Sequence, residues 1–338
     1  MSETVMRGVW YERFGPAADV LIHGEMAMPT PDFGQVLVRV MASGVNPHDV
    51  KKRSGWMGPV MPAPKVVPHG DAAGVVVAHG RGLPDDTPGI GERVWVYGAG
   101  HGRPGQGTAA EFITVRADRV AVLPGNLSYE AGASLGVPVL TAYYALLADG
   151  PVTGKTVLVQ GGAGAVGSVA IELARWNGAR VLATVSSPEK VQIARAAGAD
   201  ATIDYKAENV ADRVMELTSG RGVDRIVEVD FGDNVTTNAA VLKANGTLAS
   251  YSSTRVREPV FPYYDFAIRG CRIHLVQAMT MPPEVRQAAV DVATALLGRG
   301  LLVPRIARTF DLAQIAEAHE LMEAGTAPGN IVVRVADG

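Results

Sequence analysis

Apolar residues follow two spacings along this chain, and the change from one to the other sets its organisation. Up to residue 127 they fall in short β-branched runs, QVLVRVMASGV, AAGVVVAHG, ERVWVYG and AEFITVRADRVAVLP, parted by Gly, Pro and charged turns. Such runs predict the strands of a closed or nearly closed antiparallel barrel. Residues 128–148, SYEAGASLGVPVLTAYYALLA, turn to helical spacing, with Ser128 and Glu130 as start signals. From 154 onward, strand and helix patterns alternate. The strands are TVLVQG, RVLATV, ATIDY, DRIVEVD, GTLASYS and CRIHLVQAM. Six strands with helical connections predict a doubly wound parallel sheet, so the chain as a whole is α/β. After Pro282 and Pro283 come a helix, a short strand (ARTFDL), a second helix and a last strand, NIVVRV. That strand has no partner near it in sequence. It is expected to pack back onto the N-terminal barrel and make that domain discontinuous.

Composition narrows the class. A chain of 338 residues, 47% hydrophobic and 19% charged, suits a globular protein of two domains with a large core. Its 39 Gly and 21 Pro are spread between periodic segments, which means many turns and not disorder. A net charge of −3 gives no reason to expect a nucleic-acid or anionic-membrane partner. No apolar run approaches the roughly 20 residues of a membrane span. The opening MSETVMRGVWYERFG lacks the basic start and apolar stretch of a signal peptide. One cysteine, Cys271, excludes an internal disulfide and a thiolate-rich metal site. A cytoplasmic location is expected.

The candidate chemistry centres on 158–190. An apolar run, TVLVQ, leads into Gly162-x-Gly164-x-x-Gly167, and a helical pattern follows. That order builds a strand, a tight turn and a helix N-terminus able to hold a dinucleotide pyrophosphate. The first glycine is expected to make the turn, the second to admit the phosphates, and the third to let helix pack on strand. Gly164, Ala165 and Val166 would offer free N–H groups at the positive end of the helix. The next strand ends near the place where an NAD site usually keeps an acid for the ribose 2′-OH. Ser186, Ser187 and Pro188 stand there, with Lys190 just beyond. Two hydroxyls and an ammonium suit a 2′-phosphate, so the cofactor is expected to be NADPH. An ordinary turn with a serine N-cap is the plainer reading of the same residues, and both readings can hold together.

Seven landmarks in register resemble the zinc-free quinone-oxidoreductase branch of the medium-chain dehydrogenase/reductase superfamily. They are SGVNPHDVKKRSG, HGDAAGVV, GERVWVYG, GTAAEF, GVPVLTAYYAL, QGGAGAVG and APGNIVV, and they span almost the full length. The resemblance implies a GroES-like catalytic domain at 1–127 and 280–338, a Rossmann domain at 128–279, and a cofactor cleft between them. Zinc-dependent members place Cys and His around a catalytic metal. Here Asn46 and Gly70 stand at those positions, His69 is one place off, and a catalytic zinc is not expected. His48, His69 and His101 read as surface or hydrogen-bonded structural residues.

Without a metal to polarise an alcohol, the feasible chemistry is hydride delivery to a quinone or to the β-carbon of an enone. The developing oxyanion needs donors, and Asn46-x-x-Asp49-x-Lys51-x-Arg53 offers them. Lys51 would stabilise an enolate or pass it a proton. Alternatively, Lys51, Lys52 and Arg53 form a solvated basic turn. The amide of Asn46 can hold the nicotinamide ribose or the substrate carbonyl. By resemblance, Thr141 faces nicotinamide and Tyr205 contacts the adenosine phosphate. Asp230 and Ser252 end the fourth and fifth strands at the ligand-binding edge. Asn330 stands where relatives often have a phosphate-reaching lysine. Two other functions share the layout: an enoyl-thioester reductase, with Lys51, Lys52, Arg53, Arg255 and Arg257 lining a groove, and a crystallin-like protein that binds NADPH without turnover. The final strand of the sheet has an apolar edge, and relatives join two such edges, so a homodimer is expected.

Overall fold

The computed structural model describes residues 4–336. The chain opens with β1 (Val5–Trp10), α1 (Ala17–Val20), β2 (Ile22–Ala27), β3 (Gln35–Val45), α2 (Pro47–Ser54) and β4 (Asp71–His79). Then come β5 (Arg93–Val96), β6 (Phe112–Arg116), β7 (Val120–Val122), α3 (Tyr129–Ala133) and α4 (Gly136–Leu147). The alternating stretch is β8 (Thr156–Val159), α5 (Ala165–Trp176), β9 (Arg180–Val185), α6 (Pro188–Ala196), β10 (Ala201–Asp204), α7 (Val210–Leu217) and β11 (Val223–Glu228). It continues with α8 (Phe231–Val241), β12 (Leu242–Ser250), α9 (Tyr263–Ala267) and β13 (Arg272–Leu275). The chain closes with α10 (Pro283–Gly298), β14 (Ile306–Asp311), α11 (Ile315–Ala324) and β15 (Asn330–Arg334). Among the described residues, no helix is long and apolar enough to cross a membrane.

Two compact units result. One holds the residues up to Val137, Thr294–Gly300 and those from Pro304 onward; the other holds Pro138–Ala293 and Leu301–Val303. The breaks expected at 127/128 and 279/280 thus stand at 137/138 and 293/294. The first shift comes from α3, which sits on the sheet of the first unit: Gly44 in β3 lacks a side chain, and a Cβ there would meet the Ala133 carbonyl oxygen at 2.1 Å. The helical stretch 128–148 is also two helices, not one. Ser128 caps α3 by accepting the Ala131 N–H at 3.2 Å, and the chain turns before α4 begins.

In the first unit β3 is the hub. It pairs antiparallel with β15, β4 and β6, and the hydrogen-bonded order runs β14-β15-β3-β4-β5-β7. The last strand does return to the N-terminal sheet, and β14 joins it in parallel. The sheet is therefore forked at β3 and mixed, where purely antiparallel pairing was expected. Alternation in VLVRV buries Val36, Val38 and Val40 against Val94, Val96, Ile113 and Val115.

The second unit has the six-stranded parallel sheet, in the order β10-β9-β8-β11-β12-β13. The order reverses beside β8, so β8 and β11 diverge at the switch point where open α/β sheets bind ligands. The inner strands are largely buried on both faces, with Leu158, Leu182 and Ile226 in the core, and the edge strands β10 and β13 are more exposed.

Candidate active-site residues

The turn after β8 is built by four glycines with separate tasks. Gly161 takes the left-handed conformation, at φ 70°, and its N–H donates to Thr184 Oγ1 at 2.9 Å. The turn-making residue is therefore Gly161, one place before the expected Gly162. A Cβ on Gly162 would stand 2.7 Å from that of Ala183, and one on Gly167 would stand 2.2 Å from the Gly161 carbonyl oxygen. Both glycines serve close packing of α5 on the sheet. Gly164 precedes α5 and is exposed, and a Cβ there would meet only the Gly161 carbonyl oxygen, at 3.3 Å. Ala165 and Val166 follow in the first turn, half-buried, with the helix N–H groups beside them. A dinucleotide pyrophosphate fits this cradle: backbone donors, a helix N-terminus and no Cβ in the way.

At the end of β9, Ser187 caps α6 by accepting the Lys190 N–H at 3.3 Å. The ammonium of Lys190 donates to Ser186 Oγ at 3.1 Å, so hydroxyls and cation are gathered in one place. The cap and the cluster coexist. Tyr205 follows β10 with its side chain exposed. Asp230 sits at the foot of α8 and is occupied: Oδ1 accepts from Thr254 N at 2.8 Å and Arg255 N at 3.3 Å. Ser252 Oγ bonds to Thr254 Oγ1 at 2.9 Å, and its carbonyl accepts the Phe231 N–H at 2.9 Å. Asp230 and Ser252 thus brace the loop after β12. Thr141 is buried on α4.

In the first unit, Asn46 precedes α2, and its N–H donates to Asp49 Oδ2 at 2.8 Å. Asp49 is buried, and Oδ1 lies 3.2 Å from His48 Nε2. Its carboxylate closes the helix's first turn. Lys51 is half-buried, its ammonium 4.6 Å from the centre of the Trp56 ring. The basic run is not a solvated turn. Arg53 is fully buried and donates to the Gly15 carbonyl and to Glu323, while Lys52 is exposed. Arg53 is thereby withdrawn from any thioester groove, and Arg255 is spent on Asp233 at 2.9 Å. Asn330 begins β15 and donates its amide N–H to the Arg305 carbonyl at 2.9 Å, a bond that ties the strand's start.

Asp71 was not among the expected residues. It is fully buried at the start of β4, where Oδ2 accepts from Asn46 Nδ2 at 2.8 Å and Val137 N at 2.6 Å. Burial pushes its carboxyl up to about 7, against the pull of those N–H donors. The signal was present in HGDAAGVVV: a lone acid opening an apolar strand must find buried donors.

His69 is buried too, with φ 71°, and its Nε2 lies 2.8 Å from His319 Nε2. From His69 Nδ1 a chain runs to Ser43 Oγ (2.8 Å), Thr108 Oγ1 (2.7 Å) and the Asp71 carbonyl (2.8 Å). That carbonyl can only accept, so Thr108 donates to it, Ser43 to Thr108, His69 Nδ1–H to Ser43, and His319 Nε2–H to His69. Each group gives one proton, and both rings are neutral. Burial lowers both to about 3. At the two positions where zinc-dependent members keep ligands, Asn46 and Gly70 supply neither thiolate nor imidazole. Among the described residues no three His, Cys, Asp or Glu gather as a metal would need.

A GroES-like unit bearing the α2 motif, and a doubly wound unit bearing a glycine cradle, define the class: a nicotinamide-dependent oxidoreductase of two units. The alcohol dehydrogenase GroES-like domain model matches residues 32–125, and the zinc-binding dehydrogenase model matches 165–295. The chain is 31% identical to 2-haloacrylate reductase of Burkholderia sp. over 97% of this chain and 98% of that protein. It is 29% identical to human quinone oxidoreductase, with 98% of each covered. A solved mycobacterial structure complexed with NADPH superposes with a TM-score of 0.83 at 29% identity, covering 97% of this chain and 99% of that one. The chain belongs to the zinc-free quinone and enone oxidoreductase branch of the medium-chain dehydrogenase/reductase superfamily.

Proposed function

We propose that this protein is an NADPH-dependent, zinc-independent reductase of quinones or of the C=C bond of α,β-unsaturated carbonyls. The observation that carries this reading is the pairing of a glycine turn, exposed at Gly164, with the Ser186–Lys190 cluster one strand away. The relatives agree in chemistry, since a 2-haloacrylate is itself an α,β-unsaturated carbonyl compound. When bound, the reduced nicotinamide supplies the hydride. Gly164, Ala165 and Val166 receive the pyrophosphate on backbone N–H groups, with Gly161, Gly162 and Gly167 shaping the turn. Ser186, Ser187 and Lys190 take the 2′-phosphate by charge-assisted bonds. Tyr205 and Thr141 border the adenosine and nicotinamide ends.

Asn46 and Lys51 act on the reacting end. Asn46 orients ribose or substrate, and the Lys51 ammonium faces the oxygen on which charge develops. Asp49 contributes by holding the α2 turn that carries both. The test is to mix the NADPH-loaded protein with a panel of quinones, enones and enoyl thioesters. Oxidation by quinone or enone supports the reading, and preference for the thioester would favour the enoyl-thioester alternative.

The assembly is read as a homodimer joined through β13. That strand pairs with β12 on one side, and exposed Leu275 and Ile268 lie at its other end and just before it. Light scattering at micromolar concentration should give twice the chain mass, and a monomer would contradict it.

A further inference from the structure

A buried carboxyl lies directly behind Asn46, and three independent features fix it. Asp71 Oδ2 accepts the Asn46 amide at 2.8 Å and the Val137 N–H at 2.6 Å. Its carbonyl is the terminus of the Thr108–Ser43–His69–His319 chain. Its space comes from Gly136, where a Cβ would stand 2.1 Å from Asp71 Oδ1. A carboxylate accepts and does not donate, so the Asn46 amide must turn its NH2 group toward it. Because Oδ2 already receives two N–H donors, a proton gained by the carboxyl belongs on Oδ1. The amide orientation is then the same in either charge state.

We propose that Asp71 is a positioning residue for the cofactor site, holding the side-chain amide of Asn46 in one orientation within space that Gly136 keeps open. The assignment rests on the reading of Asn46 as a cofactor contact. It gives a reason for a buried ionisable group whose desolvation no cation beside it offsets: the surrounding bonds serve to aim one amide. It also gives Gly136 a task that helix formation does not require, since glycine is a poor helix former and α4 begins there.

NADPH dissociation constants measured by direct titration test this without any turnover. Asn46→Ala should weaken binding about tenfold, the scale of one lost hydrogen bond to a ligand. Asp71→Leu keeps the branched outline but accepts no hydrogen bond, and it should weaken binding to the same degree. The combined variant should bind no more weakly than Asn46→Ala alone, because the carboxyl acts through the amide. Asp71→Asn retains an acceptor for both N–H groups and should bind within about twofold of the native protein. If Asp71→Leu does not fold, Gly136→Ala replaces it, since the added methyl displaces the carboxyl; the same tenfold loss and non-additivity are expected. Losses that multiply in the combined variant, or unchanged affinity in a folded Asp71→Leu or Gly136→Ala protein, overturn the assignment and leave the reductase reading intact. A native protein that binds NADPH but passes no hydride overturns the reductase reading and leaves this cycle to be read. A native protein that binds no NADPH overturns both.

Discussion

In the proposed reaction, Lys51 is the residue on which the chemistry turns. Its ammonium stands over the Trp56 ring, which holds it near the mouth of the α2 motif at little cost in solvation. If this charge meets the developing enolate, Lys51→Ala should lower turnover roughly 10²-fold, the scale of losing one oxyanion donor. NADPH affinity should barely change, because the glycine cradle and Lys190 are untouched. Steady-state rates with one quinone and one enone check this, and native kinetics on both would assign Lys51 to the surface. Asn46 and Lys51 stood out in the sequence because their types and spacing suit the proposed chemistry. Asp71 was not, since its meaning depends on Val137, 66 positions away, arriving at 2.6 Å. Arg53 shows the converse: a cation in a basic run is ordinarily solvated, and only the fold brings it Glu323.

At the scale of elements, the β9–α6 turn is where the proposed cofactor choice is made. Ser187 caps the helix while Ser186 and Lys190 are joined by a hydrogen bond, so the cation is already placed for a phosphate. NADPH should bind at least about tenfold more tightly than NADH, or about 1.4 kcal/mol. Lys190→Ala should narrow that gap by removing a charge-assisted bond. Titrations of both cofactors decide it, and equal affinities in the native protein would refute the assignment. The six parallel strands were readable because β-branched runs alternated with helical spacing at regular intervals. The forked sheet was not, because pairing of β3 with three partners depends on contacts far apart in sequence. The left-handed role of Gly161 was hidden by its neighbour, as either glycine of a GG pair can make the turn.

For the first unit as a whole, buried titratable groups set the response to acid. His69 and His319 are lowered from 6.5 to about 3 by burial, so between those limits the unfolded chain binds more protons, and stability falls on acidification. Asp71 is raised from 3.8 to about 7 by burial, so the folded form binds more protons there, and its contribution falls as pH rises. Burial lowers His48 as well, so between about pH 4 and 6.5 three histidines of this unit oppose Asp71, and its stability falls on acidification. Asp71→Asn removes the offset and should steepen that slope by about 1.4 kcal/mol per pH unit. Chemical denaturation across pH 4.5–6.5 measures it; parallel slopes for native protein and variant would mean that Asp71 does not titrate there.

At the heart of the proposed function is hydride transfer from NADPH to an electron-poor acceptor without a metal. The most direct measurement is a single turnover of chelator-treated protein loaded with NADPH that carries deuterium at C4, mixed anaerobically with an enone. Rapid cofactor oxidation, deuterium on the β-carbon of the reduced product, and a rate unaffected by the chelator are expected. Tight NADPH binding with no oxidation by any quinone or enone would contradict it, as would activity that vanishes on chelation and returns with zinc.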